Sequence, residues 1–183
     1  KEIIKETRDS KTFILESPEG SDIDYKAGQF FTFIFDTPFG EQRRNYSLSS
    51  CPDLEEPVSI TVKRMANGVF SRRMTDTVQP GDMLTTIGAS GFFTLPADMS
   101  NCKQFFLLAA GSGITPVFSL VKTVLHKFPQ INVVLIYSNH SKDDTIFYNV
   151  LQQLQLRSPK QLQVEWFFSN AFDHRKARLS NWL

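Results

Sequence analysis

An unbroken apolar run, Phe105-Phe106-Leu107-Leu108-Ala109-Ala110, leads straight into Gly111-Ser112-Gly113-Ile114-Thr115-Pro116, and this junction limits the fold more than any other stretch. A run with no polar alternation suits a parallel strand buried on both faces. After the glycines, Val117, Leu120, Val121, Val124 and Leu125 recur at helical intervals. The unit is strand, glycine turn, helix. Glycines let backbone N–H groups approach a pyrophosphate, and Pro116 falls near the first helical turn, where no intrahelical donor is needed. Asn132 to Tyr137 and Leu162 to Phe168 read as the second and third parallel strands. Between them a helix is expected from about Asp143-Asp144, with Ile146, Phe147, Val150, Leu151 and Leu154 on its core face. This alternation predicts a doubly wound parallel sheet.

The first half has a different rhythm. Ile3-Ile4 and Thr12 to Leu15 flank the turn signal Asp9-Ser10 and read as an antiparallel hairpin. Phe31 to Phe35 is β-rich, and Gly28 before it permits a tight turn or a close backbone approach. Val58 to Arg64 alternates apolar and polar, and Met83 to Gly88 follows the turn Pro80-Gly81-Asp82 as a further strand. Short strands separated by Pro, Gly and Asp predict an antiparallel barrel. The composition of Leu95 to Asn101 is that of a linker. The expected domains are therefore a barrel over 1–97 and an α/β unit over 103–183.

Lys+Arg 20 against Asp+Glu 19 gives a net charge of +1, too balanced for nucleic acid or a membrane surface to be the expected partner. Cys51 and Cys102 stand far apart, with no metal-cluster spacing and no disulfide framework, which reads as intracellular. Cys51 reads as a small packed residue. His126, His140 and His174 are scattered and read as surface residues rather than metal ligands. No run approaches a membrane span and no charged-then-apolar leader opens the chain, so a cytoplasmic protein is expected. Lys1 opens inside a strand-like pattern and Asn181-Trp182-Leu183 stops as a helix begins, so the chain is expected to be cut at both ends.

Two stretches of the first half carry chemistry. In Arg43-Arg44-Asn45-Tyr46-Ser47-Leu48-Ser49-Ser50, strand geometry puts Arg44, Tyr46 and Leu48 on one face and Asn45, Ser47 and Ser49 on the other. An extended ligand crossing the strand end would meet an anion clamp, a flat ring and a hydroxyl. An edge strand with solvated alternate residues would show the same alternation. In Asn67-Gly68-Val69-Phe70-Ser71-Arg72-Arg73-Met74 the Asn-Gly turn opens a short helix whose first N–H groups, with Ser71, suit a phosphate. A plain capped turn is the competing reading.

Taken in order, Arg44-x-Tyr46-Ser47-x-Ser49, Gly68-x-x-Ser71 and Gly111-x-Gly113-Ile114-Thr115-Pro116 resemble the three motifs of the ferredoxin–NADP reductase superfamily. Gly91-Phe92-Phe93 resembles the Gly-x-Phe that closes the flavin domain there. Because Pro116 stands where a third glycine would be, a Rossmann dehydrogenase fits poorly. The resemblance covers nearly the whole chain. It implies FAD on the barrel, with Arg44 at the pyrophosphate, Asn45 beside it in the motif, Tyr46 against the isoalloxazine and Ser47 near the flavin N5. Val62, Lys63 and Arg64 would lie along the ribityl and phosphate side, and Gly68, Val69, Phe70 and Ser71 would complete the pyrophosphate site.

The second domain would then hold NADPH or NADH, with Gly111, Ser112, Gly113, Ile114, Thr115 and Pro116 at its phosphates and Thr115 close to the nicotinamide. Ser138 and Asn139 would flank the adenosine half. Ser47 and Thr115 are the implied catalytic pair, with no protein general base. Ser169, with Arg175, Lys176 and Arg178 beyond it, leans towards NADPH, although Asn170 interrupts the family's usual Ser-Arg pair. Hydride would pass from NAD(P)H to FAD and electrons singly to a protein acceptor such as an iron–sulfur centre. The family's later Cys-Gly-Pro motif and a plant-type ferredoxin cysteine pattern are absent from the sequence, so a 2Fe-2S cluster is implied only if a C-terminal ferredoxin domain is missing. A reductase of the phenylacetate-degradation or oxygenase-reductase kind is expected. The alternatives are a free flavin reductase and an electron-transfer or scaffold subunit without its own nucleotide turnover.

Overall fold

The computed structural model describes residues 1–171. Strands β1 (Glu2–Lys5), β2 (Ser10–Ile14), β3 (Phe30–Thr37), β4 (Gly40–Ser47), β5 (Ser59–Lys63) and β6 (Thr86–Ser90) build two antiparallel sheets, ordered β1-β2-β5 and β4-β3-β6. A bridge from Leu48 to Ile60 joins them. Phe31 and Phe33, each 1% exposed, fill the space between with Phe13, Ile60, Val62 and Met74. Period-two alternation decides which half of each strand is inside. On β2 and β5, Phe13 and Ile60 face this core, so the paired Thr12 and Thr61 face outward. β6 begins three residues later than the expected Met83, because Pro80 to Asp82 continue as a turn and the pairing of β3 with β6 is irregular between Phe31 and Phe33. Helix α1 (Val69–Arg72) follows β5 and passes into a π-helical turn over Arg73–Thr77.

Strands β7 (Gln104–Ala110), β8 (Asn132–Asn139) and β9 (Leu162–Phe168) form a parallel sheet in that order, connected by helices α2 (Ile114–Lys127) and α3 (Tyr148–Arg157). Right-handed crossovers between sequential neighbours put both helices on one face. Val117, Val121 and Leu151 pack there against Leu107, Leu135 and Val164. The both-faces burial expected of Phe105 to Ala110 holds for one face only among the described residues, since Phe106 and Leu108 are 61% and 63% exposed. Helix α3 starts four residues after the expected Asp144. Phe147 takes a left-handed conformation (φ 62°) and stacks on Phe118 at 4.3 Å, while Ser141 and Asp144 close a separate turn. Val150, expected on the core face, is consequently exposed. Strand β8 runs two residues past Tyr137, which carries Ser138 and Asn139 at its tip.

The two units meet through α2. Ser119 Oγ donates to the Ser50 carbonyl at 2.5 Å, Cys51 Sγ lies 3.2 Å from Thr123 Oγ1, and Lys127 Nζ donates to Asp53 at 2.9 Å. Lys122 pairs with Glu56, which also accepts from the Cys51 N–H. The loop Cys51 to Glu56 follows the Arg44 strand directly and α2 follows the glycine turn directly, so these contacts fix one motif against the other.

Candidate functional site

The cleft between the two units has a volume of about 260 Å³ and is lined by Asn45, Tyr46 and Ser47 from β4, Thr61, Val62 and Lys63 from β5, Met65 and Ser71, and Ser112 and Thr115 from the glycine turn. Members of all three motifs thus converge on one space. Asn45, Tyr46 and Ser47, successive residues with side chains on alternate faces of β4, all border this cleft. Along one face Arg44 is exposed, Tyr46 is half-buried 6.0 Å from Phe33, and Leu48 is fully buried. On the other, Asn45 and Ser47 look into the cleft and Ser49 is buried beneath it. Burial pushes the Tyr46 phenol above its ordinary pKa, with Arg44 pulling the other way, so the ring is neutral at physiological pH.

The glycine turn is a short 3-10 segment, Gly111–Gly113, ahead of α2. No side chain caps the helix; Thr115 Oγ1 instead donates back to the Ser112 carbonyl at 2.9 Å. The Ile114 N–H is taken up within the turn by the Gly111 carbonyl, and the 14-residue helix directs the positive end of its dipole at the glycines ahead of it. A Cβ placed on Gly111 or Gly113 would meet nothing within 4 Å, so the front of the turn is open. Ile114 and Thr115 are buried and anchor it from behind. Pro116 sits in the first turn, as its missing N–H requires.

Of the other expected residues, Arg44, Arg64, Gly68, Val69 and Phe70 lie apart from the cleft. The Arg44 guanidinium stacks 4.2 Å above the Phe70 ring and donates to the Arg43 carbonyl. It is exposed on the outward continuation of the face that carries Tyr46. Arg64 forms an ion pair with Asp76 at 2.9 Å, which holds that carboxyl below its usual range. Gly68 caps α1, Val69 is exposed, and Phe70 packs 4.9 Å from Phe35. Ser71 donates to the Gly68 carbonyl and accepts from the Met65 N–H, so its hydroxyl braces the turn while it lines the cleft.

At the far end, Ser138 is half-buried, and Asn139 is buried with its Nδ2 lacking a partner among the described residues. A donor buried without a partner suits a ligand at the strand tips. Ser169 follows β9, and its hydroxyl lies 3.1 Å from His140 Nδ1. Arg175, Lys176 and Arg178, together with His174, lie outside the described residues. The donor set fits a dinucleotide across the cleft: backbone N–H groups and Lys63 for phosphates, Tyr46 for a planar ring, hydroxyls for polar edges. Sequence reasoning missed Thr61, Met65, His140 and the Lys122–Glu56 pair. Thr61 carried a signal, being the polar member of an alternating strand whose outer face reads as solvated.

The chain matches the family model of the oxidoreductase FAD-binding domain over residues 1–95 and that of the oxidoreductase NAD-binding domain over residues 107–178. It is 37% identical over 169 residues to the ferredoxin reductase component of 3-ketosteroid-9-alpha-monooxygenase from Mycolicibacterium smegmatis, covering 89% of this chain and 47% of that protein. It is 30% identical over 158 residues to the glycine betaine monooxygenase reductase from Pseudomonas aeruginosa, covering 85% and 42%. The chain therefore spans about half the length of the curated relatives it matches. Phthalate dioxygenase reductase, whose structure is described as modular for electron transfer from pyridine nucleotides to [2Fe-2S], superposes with a TM-score of 0.76 at 27% identity, covering 94% of this chain and 52% of that one. The flavohem-like FAD/NAD-binding domain of nitric oxide dioxygenase from Vibrio cholerae superposes with a TM-score of 0.82 at 23% identity, covering 98% and 77%, and shares the fold.

Proposed function

The chain belongs to the ferredoxin–NADP reductase superfamily, with an FAD-binding and an NAD-binding domain, and from that premise we propose that it takes hydride from NAD(P)H onto FAD and passes electrons singly to a protein acceptor. The carrying observation is the cleft in which Tyr46, Ser47, Ser71, Ser112 and Thr115 meet. FAD, when bound, supplies the redox chemistry. Tyr46 and Ser47 orient its ring, the former by stacking and the latter by a hydroxyl at the ring's polar edge. Arg44, Lys63 and the Gly68 to Ser71 turn neutralise its phosphates. The N-terminus of α2 receives the nucleotide's phosphates, and Thr115 fixes the nicotinamide end. Packing of α2 on the Cys51 to Glu56 loop excludes water and holds the two sites at a set distance.

The units are taken as 1–97 and 103–183. The acceptor is taken to be an iron–sulfur centre, carried by a partner or by an appended domain, as the likeness to a modular reductase supports. Among the described residues no helix is long and apolar enough to cross a membrane. The setting is taken to be cytoplasmic, where two free cysteines stay reduced.

Anaerobic addition of NADPH to the FAD-loaded chain tests the reading: the flavin band is expected to bleach, and a chain that takes up no FAD would sink it. Arg44→Ala is expected to weaken FAD binding by about thirtyfold, equivalent to ~2 kcal/mol for a charge-assisted contact. Arg44→Lys restores little, because the planar fork is lost. Fluorescence titration with FAD measures both. The nucleotide is taken to be NADPH, on Ser169 with His140 at adjacent strand tips. Ser169→Asp is expected to favour NADH by about tenfold through repulsion of the 2′-phosphate. Equal use of both nucleotides by the unaltered chain would remove that preference.

A further inference from the structure

A row of hydroxyls leads out of the cleft. Thr61, on the cleft wall, lies 2.8 Å from Thr12 Oγ1, and Thr12 donates to Glu6 Oε1 at 2.6 Å. On its other side Thr61 donates to Ser49 at 3.0 Å, and Ser49 lies 2.8 Å from Ser59. Thr12, Thr61, Ser49 and Ser59 are all buried, Thr12 on β2, Thr61 and Ser59 on β5, which the glycine turn contacts, and Ser49 just past β4. Glu6 lies at the far end. It is half-buried and lines a separate surface cleft with Lys5, Lys142 and Asp143. Of the neighbouring charges, Arg8 pairs with Asp144 at 3.2 Å and Lys63 lies 3.6 Å from Asp9.

A buried row of hydroxyls needs each of its donors matched, which apolar packing in its place would not. Hydroxyls at 2.6 to 2.8 Å do something apolar groups cannot: each accepts one proton while donating another. We propose that Thr61, Thr12 and Glu6 form a proton path between the flavin cleft and solvent. The path rests on the reading that FAD occupies that cleft.

The need for such a path follows from electron bookkeeping. Hydride transfer brings two electrons and one proton to the flavin, whereas a one-electron acceptor removes electrons only. After two such steps one proton remains to be released. With Glu6 ionised, Thr12 donates to Glu6, and Thr61, which has a single hydroxyl proton, turns it from Ser49 to Thr12. A proton entering at Thr61 displaces that hydroxyl's own proton to Thr12, and the Thr12 proton moves to the Glu6 carboxylate. One O–H bond breaks and one forms at each hydroxyl, so no net charge is left in the row. Glu6 then discharges to water in the second cleft. Burial raises the Glu6 carboxyl above its ordinary value, so it holds a proton more readily than an exposed carboxylate does.

The test uses the FAD-loaded chain and reduced-minus-oxidised infrared difference spectra, with dithionite as reductant. A protonated-carboxyl signal is expected that is absent from Glu6→Gln. Thr12→Val, which keeps the shape and removes the hydroxyl, is expected to slow flavin reoxidation by ferricyanide about tenfold, with Thr12→Ser restoring it. FAD affinity should stay unchanged in all three variants. An identical carboxyl signal in Glu6→Gln, or an unchanged rate in Thr12→Val, overturns the path while leaving the cofactor reading intact. A chain that binds no FAD removes both.

Discussion

Gly28→Ala is expected to lower stability by about 4 kcal/mol and the thermal midpoint by about 10 °C. Gly28 has φ +90°, which an L-residue adopts at a cost of about 1–2 kcal/mol. A Cβ there would stand 1.8 Å from the Phe93 carbonyl oxygen and 3.2 Å from the Leu120 side chain. The first of these is backbone and cannot rotate away. The Gly91 to Phe93 segment, itself tied to the same turn through Gln29 Nε2 and the Gly91 carbonyl, would have to move. Gly20 supplies the control, since it has φ +68° but nothing within 4 Å of its Cβ. Gly20→Ala is expected to cost only the backbone share, about 1 kcal/mol. If calorimetry found equal losses at the two positions, the crossing of Gly28 and Phe93 would not be the source of the effect. The consequence reaches the cleft, because Gln29 holds the Leu48 N–H and Phe30 pairs with Ser47.

Gly28 also shows how far such a chain can be read from its letters. The glycine signals a turn or a close approach, and it serves both, but nothing local says that its neighbour is a residue more than sixty positions away. Motif residues are legible for the same reason that they work: phosphate and ring recognition needs particular side chains at fixed short spacing. Arg44, Tyr46 and Ser47 on one strand, and Gly111 to Pro116 at one helix start, are local patterns. What stays hidden is set by tertiary context. Lys122 is a charged residue that nothing local marks for burial, yet it is buried, because the loop that covers it comes from the other domain. Phe106 and Leu108 read as core and are exposed among the described residues, because hydrophobicity reports that a face wants cover without reporting where the cover is. The start of α3 is misread because Asp143-Asp144 is a good helix opening by propensity. Phe147 stacking on Phe118 and Asp144 pairing with Arg8 outweigh that preference.

Glu56→Ala is expected to destabilise the chain by about 3 kcal/mol and to slow hydride transfer from NADPH to bound FAD by at least about tenfold. The stability loss follows from Lys122, whose side chain is 8% exposed and whose only carboxylate among the described ion pairs is Glu56. Without it an ammonium stays buried against the Phe118 ring, 4.3 Å away, with no counter-ion. The rate loss follows from position. Glu56 closes the loop after the Tyr46–Ser47 strand and Lys122 lies two turns into the helix behind Thr115, so the pair sets the spacing at which two orienting motifs face each other. FAD affinity should be nearly unchanged, since neither residue lines the cleft, and that split separates positioning from binding. Glu56→Ala with Lys122→Met should regain most of the stability, because no charge is left buried. The pH dependence gives an independent check. Burial holds the Lys122 ammonium below its usual 10.5, with Glu56 opposing the shift. The folded chain therefore binds this proton less tightly than the unfolded chain. Its contribution to stability is fullest above 10.5 and is lost as pH falls through the depressed folded value. Lys122→Met should flatten the stability profile in that window; an unaltered profile would show that the ammonium is solvated and the interface looser than its contacts imply.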